Sequence, residues 1–100
     1  MRDALVTALK TDSNAGVRGE AFNALSRYPF DEEIRDAMIY ALMFDDNAAL
    51  RISAINRLQE QGPALFDENL ERVLRTRMVL DENAYIRTKA RTVLSNLSAP

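Results

Sequence analysis

The sequence contains no cysteine and no histidine. Without cysteine, disulfide bonds and thiolate metal sites are excluded, and nothing indicates an oxidising compartment. Without histidine, the chain lacks the commonest metal ligand and the commonest general base. Its three glycines are scattered, so no glycine-rich loop is available to hold a phosphate group. We therefore expect no enzyme, and we predict no catalytic, cofactor-binding or metal-binding residues.

Long apolar runs are also missing. No segment approaches the roughly 20 apolar residues of a transmembrane helix, and the opening MRDALVTALK has too short an apolar core for a signal peptide. The net charge of -2 argues against a dedicated nucleic-acid-binding protein. These absences predict a cytoplasmic segment without membrane contact of its own, although a parent protein could be membrane-anchored.

A seven-residue phrase is written three times, as DSNAGVR at 12–18, DDNAALR at 45–51 and DENAYIR at 81–87. An alanine follows each arginine by three residues, and a leucine follows it by seven. An aliphatic residue stands just before each arginine. The aliphatic residue, the alanine and the leucine therefore follow one another at intervals of four residues, which is the spacing of one helix face. Each phrase therefore predicts a turn that leads into a helix with a buried stripe. The stripe residues are Val17, Ala21 and Leu25, then Leu50, Ala54 and Leu58, then Ile86, Ala90 and Leu94.

Capping and breaking residues mark the predicted helix ends. The N-caps expected from residue type and position are Asn14, Asp31, Asn47, Asp67 and Asn83. Pro29 disfavours helical geometry in the residue before it, and Gly62 suits the position just past a helix end. The sequence predicts six helices, at about 1–11, 14–28, 32–44, 47–61, 68–80 and 83–97.

The spacing between phrases grows from 33 to 36 residues, and the extra residues fall in the loop QEQGPALF. One helix pair cannot cover its own apolar face, so the pairs must stack. The predicted fold is all-α, an α-solenoid of three antiparallel helix pairs. We expect one domain over 1–100, with repeats at about 1–28, 29–61 and 62–97. Because the first helix lacks the FDE lead-in of the later ones, we also expect either a fragment of a longer chain or a protein whose open end is covered by something else.

An aspartate six residues before an arginine, with an aliphatic residue just ahead of that arginine, resembles HEAT repeats, especially the short bacterial HEAT-like kind. The resemblance covers essentially the whole chain and departs from the family at Ala15, Ala48 and Ala84, where proline is frequent. It implies an armadillo-like superhelix in which the matching acids and bases form a ladder of ion pairs along the stack. The ladder residues it implies are Asp12, Arg18, Asp45, Arg51, Asp81 and Arg87. More loosely, RDALVTALKTDSNAGVRGEAFNALSRY looks like the HEAT-repeat portion of some bacterial anti-sigma factors.

By the same resemblance, the second helix of each pair lines the concave side. The outward positions of these helices form a polar, mixed surface without an aromatic cluster, and they are candidate partner-binding residues. They are Glu20, Asn23, Arg27, Ser53, Asn56, Glu60, Lys89, Thr92 and Asn96. Tyr40 falls opposite exposed positions and is either a contact residue or an ordinary surface tyrosine.

The third repeat is basic, because residues 70–100 hold six basic and three acidic side chains. Beyond the ladder arginine, the basic residues form either a patch for an acidic partner or a solvated face. They are Arg72, Arg75, Arg77, Lys89 and Arg91. The sequence therefore favours a non-catalytic protein–protein interaction scaffold, the interaction module of a larger bacterial, anti-sigma-like regulatory protein. The alternatives are polyanion or nucleic-acid binding through the third repeat, self-association through open ends, and a subunit of a HEAT-like lyase.

Overall fold

A computed structural model describes residues 1–98, and the last two residues of the predicted domain, 99 and 100, lie outside the described part. Its elements are α1 (Arg2–Thr11), α2 (Ala15–Leu25), α3 (Glu32–Phe44), α4 (Ala48–Glu60), a 3-10 turn (Pro63–Leu65), α5 (Glu68–Leu80) and α6 (Ala84–Ser98). No strand occurs among residues 1–98. The predicted all-α class is confirmed.

Side-chain caps begin five of the helices at the predicted residues. The side chain of Asn14 accepts hydrogen bonds from the N–H groups of Gly16 and Val17, which have no partner inside α2. Four further caps each accept one such bond in the first turn, and they are Asp31, Asn47, Asp67 and Asn83. The caps satisfy donors that the helix itself leaves unpaired, so local sequence determines where these five helices start.

Helix α2 ends at Leu25, three residues before the predicted end at Tyr28. The N–H groups of Arg27 and Tyr28 bond to carbonyls three residues back, and Ser26 Oγ bonds to the carbonyl of Phe22. Pro29 keeps the preceding residue out of helical geometry, so the last turn tightens instead of continuing as α-helix.

The predicted insertion between the second and third pairs is a short turn. Gly62 has a φ of 79°, a backbone conformation that side-chain-bearing residues rarely adopt, and the 3-10 turn follows at once. The insertion therefore lies where α4 ends, outside the helices.

Consecutive helices pack as pairs, α1 with α2, α3 with α4 and α5 with α6. The pairs are joined by packing of α1 on α3, of α3 on α5 and of α4 on α6. One apolar core runs through all three pairs, and the described chain measures 38 × 28 × 17 Å. Three pairs in a row follow from these contacts, whereas HEAT-like superhelical geometry stays a prediction.

Eight of the nine stripe residues are buried, but Val17 is 41% exposed. Its counterparts Leu50 and Ile86 are 6% and 0% exposed. The preceding helix pair packs against Leu50 and against Ile86. No described residue precedes the first pair to cover Val17 in the same way. Burial of this position therefore depends on stacking, and the prediction for Val17 was wrong for that reason.

Candidate functional site

The repeated phrase forms a joint between neighbouring pairs. The guanidinium of Arg18 donates from Nε and Nη2 to both carboxylate oxygens of Asp45, at 2.9 and 3.0 Å. Its Nη1 donates to the backbone carbonyl of Asp12 at 2.9 Å, and Nη2 also reaches Asp46. Each arginine thus holds the turn of its own pair through a carbonyl and the next pair through a carboxylate.

The second joint repeats this geometry. Arg51 donates from Nε and Nη2 to the carboxylate of Asp81, both at 2.9 Å, and from Nη1 to the carbonyl of Asp45 at 3.0 Å. Asp81 is 2% exposed, and its carboxylate also accepts the N–H of Asn83. A longer contact of 3.4 Å joins Arg77 to the same carboxylate. We call the side of the stack with these two joints the ladder edge.

Hydrogen bonding at the second joint favours the charged forms of both partners. Burial alone raises the pKa of the Asp81 carboxyl, but hydrogen bonds from Arg51 and from the backbone of Asn83 outweigh burial and lower the pKa below its usual value. The hydrogen bond to Asp81 likewise raises the pKa of Arg51. Both side chains are therefore charged and paired at neutral pH.

The outermost ladder residues have no counterpart across a joint. Arg87 donates from Nη1 to the carbonyls of Asp81 and Glu82, which is the contact with its own turn. The carboxylate of Asp12 accepts only the N–H of Asn14 among the hydrogen bonds of the described residues. Two ion-paired rungs therefore form within residues 1–98. Among these residues, Asp12 at one end of the ladder has no arginine partner from another pair, and Arg87 at the other end has no aspartate partner.

A second row of ion pairs lies on the opposite side of the stack, which we call the cap edge. Arg2 contacts Asp31 and Glu33, and Arg35 contacts Asp67. Sequence reasoning assigned these aspartates to capping alone. The signal was present, because the arginines are 33 residues apart and the aspartates 36, in step with the repeats.

A groove lined by both apolar and charged side chains lies beside the second joint, and we call it the ladder groove. Its lining includes Met43, Phe44, Asp46, Arg77, Leu80 and Glu82. Phe44 is 65% and Leu80 67% exposed, although both are large apolar residues. Sequence reasoning missed both, and the available signal was that each directly precedes a ladder aspartate.

An aromatic pair extends this surface along α3. The rings of Tyr40 and Phe44 lie 5.0 Å apart between centroids, tilted by 51°, and Lys10 Nζ lies 5.4 Å from the Tyr40 centroid. A neighbouring groove between α3 and α5 shares Met43 and Phe44 with the ladder groove. Tyr40, Met43, Phe44 and Leu80 therefore form one band of accessible apolar surface.

The second-helix candidates are exposed or half-buried, as expected for a surface, but they lie in separate places. Glu20, Asn23 and Arg27 line a groove on the outer side of the first pair. Another groove, between α2 and α4, contains Ser53, Asn56 and Glu60. Lys89, Thr92 and Asn96 lie on α6, away from both of these grooves.

The basic residues of the third pair are divided between two helices. On α5, Arg72 donates to Asn69 and lies beside Tyr40 in the α3–α5 groove, while Arg75 contacts Glu71 at 2.8 Å within the same helix. On α6, Arg91 is exposed and Lys89 half-buried. Neither of these two α6 side chains belongs to an ion pair in the part of the chain that the structure describes.

No protein-family model, curated protein or solved structure matches this chain. Within residues 1–98, no group of three or more acidic, histidine or cysteine side chains could hold a metal ion. None of the described helices is long and apolar enough to cross a membrane. The fold and the site thus define an all-α chain of stacked helix pairs, with a groove of mixed apolar and charged lining beside a buried ion-pair ladder.

Proposed function

We propose that this chain is a non-catalytic protein-interaction module of HEAT-like repeats, the binding part of a larger bacterial regulatory protein of the anti-sigma-like kind. The single observation that supports binding is the ladder groove. Phe44 and Leu80 are large, apolar and about two-thirds exposed, and they line one concave feature. Exposed apolar side chains gathered in a groove are typical of protein-binding sites.

The charges around the groove favour a partner segment that is apolar with a basic flank. Asp46 and Glu82 are exposed on its rim, and Asp46 also contacts Arg18. An incoming helix or extended segment would cover Phe44 and Leu80 and pair a cation with the rim carboxylates. The joint behind the groove holds it rigid, which lowers the entropy cost of binding.

Photo-crosslinking in the source cells tests the proposal. A photoreactive phenylalanine analogue at position 44 is expected to capture a protein that the same analogue at position 11 does not. Thr11 is the matched control because it is exposed and occupies the position equivalent to Phe44 in the first pair. An adduct pattern identical at both positions contradicts the proposal.

The captured protein is then purified and titrated calorimetrically against the wild type and against Phe44→Ser combined with Leu80→Ser. Both side chains are exposed, so the fold is expected to survive. Loss of two anchors should weaken binding at least about tenfold, since central apolar residues carry most of an interface's energy. Thr11→Ser should leave the affinity unchanged, and equal affinity for all three proteins argues against the groove.

Polyanion binding through the third pair is the alternative function. Its support is that Lys89 and Arg91 lie on one helix without ion-pair partners among the described residues, with Arg72 exposed on the neighbouring helix. A fluorescent single-stranded oligonucleotide titrated at rising salt separates the two hypotheses. Phosphate contacts lose affinity steeply with ionic strength, whereas an apolar protein interface does so much less.

A further inference from the structure

The two ends of the stack differ in chemistry. On the outer side of the first pair, a groove is lined by Leu5, Ala8, Val17, Ala21 and Ala24, and we call it the first-pair face. The positions equivalent to Leu5 and Val17 in the later pairs are buried by the preceding pair, as Met38, Leu74, Leu50 and Ile86. The first-pair face is therefore shaped as a surface that receives another helix pair.

The outer side of the third pair has arginine at positions that are apolar in the other pairs. Val6, Ile39 and Arg75 are equivalent positions in the three pairs. The first two are buried, whereas the side chain of Arg75 is 59% exposed. Phe22, Ile55 and Arg91 are likewise equivalent, and the first two are buried whereas Arg91 is exposed. With Arg87, these arginines form what we call the third-pair face. Charged residues on an end face are typical of a terminal repeat, but they can also select a partner.

The repeat geometry indicates which residues would meet if one more pair followed the third. Arg18 and Arg51 each bind the aspartate of the next pair, so Arg87 would bind an aspartate in the position of Asp12.

The grooves between neighbouring pairs indicate two further contacts. Ile39, the second-pair equivalent of Arg75, shares a groove with Arg72 of the next pair. The first-pair equivalent of Arg72 is Asp3, so Arg75 would face Asp3. Phe22 shares a groove with Ser53, whose first-pair equivalent is Glu20, so Arg91 would face Glu20.

We propose that this protein assembles head to tail, with the first-pair face of one copy docking on the third-pair face of another. Three residue pairs across this interface join opposite charges, namely Arg87 to Asp12, Arg75 to Asp3 and Arg91 to Glu20. The aliphatic stems of the arginines cover Leu5 and Val17 while their guanidinium groups reach the carboxylates. The ladder then continues across the junction with the same bidentate geometry as within the chain. Such an interface is heterologous, and it builds open chains of copies unless a rotation closes them.

The groups involved are available for this pairing. Arg87 uses only Nη1 within its own turn, and the hydrogen bonds among the described residues leave its Nε and Nη2 unused. Arg75 makes one exposed contact within its helix, to Glu71, which contributes little and can be exchanged. Asp3 and Glu20 are exposed.

Sedimentation velocity over a wide concentration range, with paired charge reversals, tests the assembly. The wild type is expected to grow in mass with concentration, without stopping at a dimer. An acidic-end variant, Arg75→Glu with Arg91→Glu, and a basic-end variant, Asp3→Lys with Glu20→Lys, should each associate more than about tenfold more weakly, because like charges then face each other. Mixing the two variants should restore assembly in alternating order, since each contact between one variant and the other again joins opposite charges.

Several outcomes would overturn the proposal. A wild type that stays monomeric throughout assigns the first-pair face to another occupant, such as further helices of a longer polypeptide or a different protein. Association that both variants retain places the contact elsewhere, and a mixture that stays monomeric shows that these ends do not meet. Thermal unfolding of each variant verifies the fold, and the single changes Arg91→Glu and Glu20→Lys replace any double variant that fails to fold.

Discussion

The ladder edge and the cap edge contain the same chemistry in different surroundings. At each edge, two arginines contact an aspartate of the next pair, one at each junction between neighbouring pairs. At the ladder edge the aspartate side chains are 4% and 0% exposed, whereas at the cap edge they are 40% and 52% exposed. An ion pair in water contributes little, whereas a buried charge that loses its partner is costly. The stack therefore depends far more on one edge than on the other.

The aspartates of the two edges also have different second roles. Asp31 and Asp67 begin helices, since each accepts an N–H of the first turn. Asp45 and Asp81 end helices, and each accepts the N–H of the asparagine two residues on. A ladder aspartate thus stabilises the turn between the two helices of its pair, and the arginine that it binds joins that turn to the neighbouring pair. Removal of either partner disturbs the turn and the contact between pairs.

The largest expected effect comes from Arg51→Met, which leaves the buried carboxylate of Asp81 without its main partner. We expect the free energy of unfolding to fall by about 3–5 kcal/mol. Arg35→Met is the matched change at the cap edge and should cost only about 0–1 kcal/mol. Urea denaturation followed by circular dichroism measures both, and equal losses would remove the distinction between the edges.

An intermediate effect is expected in double-mutant cycles. Combining Arg51→Met with Asp81→Asn should restore part of the stability that Arg51→Met loses, with a coupling energy of about 0.5–3 kcal/mol, because the unpaired buried charge disappears. The cycle for Arg35 and Asp67 should give about 0.2–1 kcal/mol, as measured for exposed pairs. A ladder coupling no larger than the cap-edge coupling would show that burial does not strengthen the pair.

The smallest expected effect is a pH dependence. The folded-state pKa of Asp81 lies below its ordinary value of 3.8, so its contribution to stability is complete well above that value and is lost as the pH falls through the folded pKa. Between neutral pH and pH values below 3.8, the wild type should lose more stability than Asp81→Asn. Asp31, whose pKa is lowered by the N–H of Ile34 and by Arg2, contributes in the same direction to both proteins and cancels in the comparison. Denaturation curves at a series of pH values measure the difference, and parallel losses would contradict it.

Much of the fold was predictable because its signals are local. Asn14 and Asp67 begin helices where their side chains can cap them, and Gly62 permits the positive φ after α4. Leu58 and Ala54 follow a four-residue spacing and are fully buried. The early end of α2 was missed because the influence of Pro29 extends through a tightened turn, a geometry that residue types alone do not determine.

The candidate site was predictable only in part. Four of the six ladder residues implied by the HEAT resemblance pair across a joint, and Asp12 and Arg87 do not. The exposure of Phe44 and Leu80 depends on how the pairs stack. The polar second-helix positions do not gather into one surface, since Glu20 and Ser53 line different grooves.

The amino-acid sequence by itself determined the number of helices, their caps and their apolar faces, because these depend on residue types and interactions within a few residues along the chain. Only the tertiary structure decided which arginine meets which aspartate, which apolar side chains stay exposed and how the two ends differ. Those features depend on residues about 30 positions apart being brought together, as Arg18 and Asp45 are. Burial, and with it the strength of each ion pair, exists only after the pairs have stacked.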